Sequence, residues 1–113
     1  ALEIELDNFY LQYTVVGPDE RPLYPLVNVI IDHMTGEIIH HDIIPFPKHS
    51  FVQQQLFWQT LNNLSVRPSK VFVAEEAYHF LKPIAKLVGI ELVASYLPHV
   101  EEFKEVIRFN PPF

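Results

Sequence analysis

The chain has 113 residues, enough for one domain that buries roughly two thirds of the surface its unfolded form exposes. Hydrophobic residues make up 49% and nine are Phe, so a proper core is available; the net charge of −6, with eight scattered Lys and Arg, suits a phosphate backbone poorly. No cysteine occurs, which excludes disulfides, thiolate metal sites and thiol nucleophiles and leaves the cytoplasm as the default compartment.

Leu2-Glu3-Ile4-Glu5-Leu6 alternates apolar and acidic residues, the pattern of a half-exposed strand or an extended lead-in. Phe9 to Val16 is rich in aromatic and β-branched residues and is expected to be the first full strand. Gly17-Pro18-Asp19-Glu20-Arg21-Pro22 is a loop by composition, and Pro25 delays the next strand to about Leu26.

Val27 to Ile44 is the stretch around which the chain is organised. Its β-branched arms flank His33-Met34-Thr35-Gly36, which fits a type I turn closed by Gly36 at positive φ. In that hairpin Val29 faces His41, Ile31 faces Ile39 and His33 faces Glu37. The first arm is apolar without alternation, so both its faces are covered and it lies inside a sheet. Pro45-Phe46-Pro47 ends the second arm.

Ser50 and Gln53 have the spacing of a capping box, opening a helix that runs to about Leu64 with Val52, Leu56, Phe57, Trp58 and Leu61 on a broad apolar face. Lys70 to Ala74 is a short buried strand. Glu75 and Glu76 then suit the first turn of a helix that ends at Gly89 and should kink or split at Pro83. Ile90 to Ser95 is a further strand, parallel to the previous one through a right-handed crossover. Pro98 precedes a last short helix, Glu101 to Ile107, and Asn110-Pro111-Pro112 ends the structure.

This order predicts an α/β fold: a mixed five-stranded sheet, three antiparallel strands then two parallel, with helices on both faces. The element order resembles ribonuclease H-like folds, with strand order 3-2-1-4-5, a likeness that carries no function by itself. One domain over residues 1–113 is expected. No run reaches the roughly 18 apolar residues of a membrane span and no signal peptide opens the chain. Residue 1 is Ala and the only Met is Met34, so the chain is either processed or cut from a longer protein.

Two constellations could carry chemistry. Asp32, His40 and Asp42 fall on one face of the hairpin, with His33 and His41 on the other, so one imidazole and two carboxylates could hold a divalent ion. The simpler reading is a sheet edge whose polar residues face a groove. The second constellation adds Glu75 at a strand-to-helix turn. Ribonuclease H-like nucleases hold two metal ions with carboxylates in the middle of the first strand, at the end of the fourth and on the last helix. Glu75 is near the second place and Glu101, Glu102 or Glu105 near the third, whereas the expected first strand has no carboxylate. A metal site of Asp32, His40, Asp42 and Glu75 is therefore the weaker reading. Nucleophilic elbows and phosphate-cradling glycine loops are absent from the sequence, and Tyr10, Tyr13, Phe57 and Trp58 lack the interleaved basic residues of a base-stacking surface.

Three short motifs carry a resemblance. They are Arg21-Pro22-Leu23-Tyr24-Pro25-Leu26-Val27 before the hairpin, Arg67-Pro68-Ser69-Lys70-Val71-Phe72-Val73 before a helix, and Leu87-Val88-Gly89-Ile90-Glu91 leading into the last strand. Together with the Thr-Gly turn they make the chain similar to an uncharacterised bacterial domain of unknown function. Val88 stands where Ala or Leu often precedes that Gly, and the hairpin is richer in histidine. The resemblance implies no activity and no catalytic residues.

The preferred function is a non-catalytic module that binds a protein partner or a second copy of itself, with no cofactor, no nucleic acid and no membrane. The rival is a divalent-metal-dependent hydrolase or nuclease using Asp32, His40, Asp42 and Glu75.

Overall fold

The computed structural model describes residues 1–12, 14–16, 19–45 and 47–110. Gly17 and Pro18 of the expected loop, Phe46 of the Pro-Phe-Pro stop, Tyr13 and the Pro111-Pro112 ending lie outside them. The elements are β1 (Glu3–Tyr10), β2 (Val15–Val16), β3 (Pro22–Leu23), β4 (Leu26–Asp32), β5 (Ile38–Ile44), α1 (Ser50–Asn63), β6 (Lys70–Val73), α2 (Glu75–Val88), β7 (Glu91–Ala94) and α3 (Pro98–Phe109). No helix among the described residues is long and apolar enough to cross a membrane.

One sheet runs in the order β5-β4-β1-β6-β7. β1 is antiparallel to β4 and β4 to β5, while β1–β6 and β6–β7 are parallel. This is the expected mixed α/β sheet with a ribonuclease H-like order. Each side has its own core, because alternate residues of a strand point to opposite faces. Ile4, Leu6, Ile30, Val71 and Val73 pack with Phe57 of α1 and Leu81 of α2. Phe9, Val27, Val29 and Ile31 pack with Val100, Phe103 and Ile107 of α3 on the other side.

The first strand lies earlier than expected. Glu3–Tyr10 forms the centre of the sheet, and Val15–Val16 pairs with Pro22–Leu23 in a separate two-stranded ladder. The alternation of Leu2 to Leu6 reads as a half-exposed strand or lead-in, yet Glu5, and Asp7 after it, are buried on the α3 side. The helix supplies the polar partners that water would otherwise give.

The hairpin turns at Gly36, with φ +77° as its sequence requires. Val29 faces His41 as expected, but a bulge between Ile30 and Ile31 sets Ile31 opposite Ile38 rather than Ile39. His33 leaves the ladder and turns across the sheet to Glu5.

Helix α1 is capped one residue early. His49, in extended conformation, accepts from the Val52 amide through its ring, so Ser50 is the first helical residue and Gln53 is buried instead of reaching back. Trp58 stands on the exposed side of that helix, outside its apolar face. Helix α2 is one continuous span through Pro83, which is on its solvent side, and Gly89 ends it at φ +73°. The missing Pro amide costs one hydrogen bond there, and the packed Ala77, Leu81 and Ala85 face holds the turns together. Helix α3 begins at Pro98, three residues before the expected start, because Glu5 satisfies its first amides.

Candidate functional site

The predicted hairpin residues do different jobs. The Asp32 carboxylate accepts from the Met34 and Thr35 amides at 2.9 and 3.1 Å, closing the turn as an Asx cap. His40 and Asp42 share the α1 side of β5, with Nε2 and Oδ1 3.8 Å apart. They border a groove of about 370 Å³ floored by Asn28 and Ile30 and walled by Leu56, Thr60 and Asn63. Glu75 is exposed in the first turn of α2, beyond β6. β5 and β6 are separated by β4 and β1, so Glu75 is roughly 14 Å from the His40–Asp42 pair across three strand spacings. Among the described residues, no group of three or more His, Asp or Glu side chains is placed to hold a metal ion.

The central strand carries the charged groups that the sequence reading passed over. Glu5 is fully buried in the middle of β1. Its Oε1 accepts from the backbone amides of His99 and Val100 at 3.0 and 3.1 Å, and Oε2 accepts from His33 Nδ1 at 2.8 Å. A carboxylate at the positive end of a helix dipole, with three donors, is well satisfied. The His33 ring stacks on Phe72 at 4.0 Å between centroids, and His99 Nε2 donates to the His33 carbonyl at 3.0 Å. These contacts join β1, the hairpin turn and α3 into one unit.

Two residues along, Asp7 Oδ2 is 3.3 Å from the Lys104 ammonium of α3. That ammonium also donates to Glu101 Oε1 at 3.2 Å and lies 4.9 Å from the centre of the Phe9 ring. Burial raises the Asp7 pKa above its usual value, against the opposing pull of Lys104 and of the Asn8 amide. For Lys104, burial lowers the pKa, but the charges of Asp7 and Glu101 outweigh it and the net direction is up. The two shifts oppose each other in what they say about the pair. The Asp7 direction follows from its side chain being only 10% exposed, against 33% for Lys104, so desolvation falls mainly on the carboxylate.

The parallel register Glu5↔Phe72, carried two residues further, sets Asp7 level with Ala74, just before Glu75 and Glu76. Glu76 is paired as well, with Lys48 Nζ at 3.5 Å, and the Lys48 charge also reaches Asp7. Beside Lys104, a groove of about 470 Å³ runs between the end of β1 and α3, bordered by Tyr10, Gln12, Glu105 and Arg108.

The family model for a domain of unknown function (DUF6930) matches residues 1–108. The chain belongs to this family. Comparison with curated protein sequences gives no match. Among solved structures, the HTLV-2 integrase catalytic core domain in complex with magnesium superposes with TM-scores of 0.67 and 0.68 for its dimeric and trimeric forms, at 14% identity over 96% of this chain and 67% of that one. The BIV integrase catalytic core domain gives 0.64 at 13% identity, covering 95% of this chain and 66% of its own. The intasome of simian T-cell lymphotropic virus, solved with the PP2A regulatory subunit B56 gamma, gives 0.69 at 12% over 99% and 43%. Likeness at this identity establishes the ribonuclease H-like fold of this family member and nothing finer.

That fold implies divalent metal chemistry in its nucleases, and the residues here do not fit it. Asp7 stands in the middle of the first strand, where a metal ligand is needed, but its free oxygen faces an ammonium. Glu101 of α3 binds the same ammonium. The Lys104 ammonium between the two carboxylates places a positive charge where a divalent ion would have to sit and takes up part of their accepting capacity.

Proposed function

We propose that this domain is a non-catalytic ribonuclease H-like module that works through contacts with protein. The Lys104 ammonium between Asp7 and Glu101 carries this reading, because it supplies from within the chain the positive charge a nuclease takes from its metal. The Lys48–Glu76 pair extends the same neutralisation to the α2 end. The acidic balance of −6 and the exposed apolar residues of β5 favour protein over nucleic acid as partner.

The second reading, a divalent-metal-dependent hydrolase or nuclease, has one observation in its favour: Asp7 gives the first strand the central carboxylate such an enzyme needs. Calorimetric titration with Mn²⁺ and Mg²⁺ at neutral pH separates the two. The wild-type chain is expected to show no stoichiometric binding at ion concentrations up to about 1 mM. Binding of one or two ions, lost in Asp7→Asn, overturns the non-catalytic reading and calls for a nuclease assay.

A further inference from the structure

The two edges of the sheet are built differently. β7 is a four-residue strand that opens with Glu91, the short and charged form that discourages pairing. β5 is seven residues long, has no Pro or Lys, and exposes Ile38 (44%), Ile39 (38%) and Ile43 (38%). It pairs on one side only, with β4, so the backbone groups of its other side face outward.

Its sequence, Ile38-Ile39-His40-His41-Asp42-Ile43-Ile44, reads nearly the same from either end. Two copies of one strand joined antiparallel in a continuous sheet are related by a twofold axis perpendicular to it. Such an axis keeps each residue on its own face, so only residues an even number of positions apart can be opposed. Centred on Asp42, the pairing sets two carboxylates against each other. Centred on His41, it sets His40 opposite Asp42 twice and Ile43 opposite Ile39. Two opposed carboxylates weaken an antiparallel pair, whereas an imidazole N–H opposite a carboxylate can donate to it, so the His41 centre is preferred.

A second observation agrees. A row of polar side chains crosses the sheet on the α1 side: Asn8 donates to Asn28 at 2.6 Å, and Asn28 is the ladder partner of Asp42. The row ends at the free edge with Asp42 Oδ1, a buried atom with no hydrogen-bond partner among the described residues; His40 Nε2 of the same strand stays 3.8 Å away. In the extended sheet the next position of the row is His40 of the second copy.

The geometry points to β5 as a self-complementary edge that joins two copies of this chain into one ten-stranded sheet, with the twofold axis at His41. This names the partner for the interaction reading above and rests on it. The extra residue of the bulge is Ile39, so about the His41 axis the regular self-paired ladder is His40–Asp42, made of the two His40–Asp42 pairs and the His41 pair.

Sedimentation of the full chain between about 1 μM and 1 mM is expected to show a monomer–dimer equilibrium. His40→Asp opposes like charges at two symmetric places and should weaken the dimer about tenfold or more. The exchange His40→Asp/Asp42→His sets an imidazole opposite a carboxylate again and should restore the dimer. His41→Cys, in a chain with no other cysteine, should give a disulfide-linked dimer on oxidation, since opposed residues place their Cα atoms within bonding range. Leu87→Cys, on exposed α2 surface, should not. Circular dichroism checks that each variant is folded. A monomer throughout the range, a dimer insensitive to His40→Asp, or equal cross-linking at both cysteines overturns the edge pairing. A β5-linked dimer that nevertheless binds Mn²⁺ with defined stoichiometry keeps the pairing and overturns the non-catalytic reading, so the two failures are distinct.

Discussion

The buried Glu5 carboxylate of the central strand caps the N-terminus of α3, accepting from the amide of Val100 at 3.1 Å across 95 residues of sequence. One side chain thereby ties the middle of the sheet to the helix that covers it. Pro98 at the first helical turn leaves fewer amides to satisfy, and Glu5 takes the two that follow.

Glu5→Ala is expected to destabilise the domain by about 3 kcal/mol, from three lost charge-assisted hydrogen bonds and from the buried Val100 and half-buried His99 amides left without a partner. Glu5→Gln should recover part of this, since one amide oxygen still accepts from the helix. Urea unfolding of both variants checks the order, and hydrogen exchange should show α3 amides losing protection first in Glu5→Ala.

The Asp7–Lys104 pair predicts a pH dependence with a definite sign. The folded-state pKa of Asp7 is raised above its ordinary 3.8, mainly by burial. The folded state therefore binds this proton more tightly than the unfolded chain does. As pH falls from neutrality through the raised value toward 3.8, Asp7 adds stability, and it withdraws that stability as pH rises through the folded pKa. In Asp7→Asn this upturn should be missing from a denaturation series run between pH 3.5 and 7, roughly the window in which a raised carboxyl titrates.

Lys104→Met removes the only ammonium in contact with Asp7 among the described residues and should raise the Asp7 midpoint further in a carboxyl ¹³C NMR titration. The loss of stability at neutral pH is expected to be about 1–2 kcal/mol, less than for a fully buried pair because a third of the lysine side chain meets water. An unchanged midpoint would show that Lys104 does not hold the carboxylate.

Gly36 and Gly89 both adopt positive φ, and their surroundings set different costs. A Cβ on Gly36 meets the His99 ring at 3.0 Å, where the ring is fixed by its bond to the His33 carbonyl. A Cβ on Gly89 meets only the tip of the Arg67 guanidinium at 3.3 Å, which can swing away. Gly36→Ala should cost about 2 kcal/mol and Gly89→Ala about 1 kcal/mol in chemical denaturation.

Pro83 is exposed within the continuous helix α2, so its ring adds strain and takes away an intrahelical amide without a packing return. Pro83→Ala is expected to stabilise the domain by about 1–2 kcal/mol, seen as a higher midpoint with an unchanged denaturant slope.

Local chemistry made much of the architecture legible. Gly36 and Gly89 take positive φ at the hairpin turn and at the end of α2, Pro45 stops β5, and the apolar strand Val71–Val73 lies in the interior. From these the element order and the mixed sheet follow, because each choice depends on neighbours in sequence. The sequence pattern places the first full strand late, at Phe9 to Val16, because Glu3 and Glu5 alternate with apolar residues as in a half-exposed strand. Only packing turns that face inward: α3, about 95 residues away, brings two amides to Glu5 and an ammonium to Asp7. The strand order in turn separates the pieces of the candidate site. Spacing alone put Asp32, His40, Asp42 and Glu75 on a common list, while the sheet order set three strand spacings between β5 and β6 and gave Asp32 to its own turn. Burial and charge partners are properties of the assembled fold, so the sequence determined where the chain could turn and the tertiary structure decided which carboxylates are held, and by what.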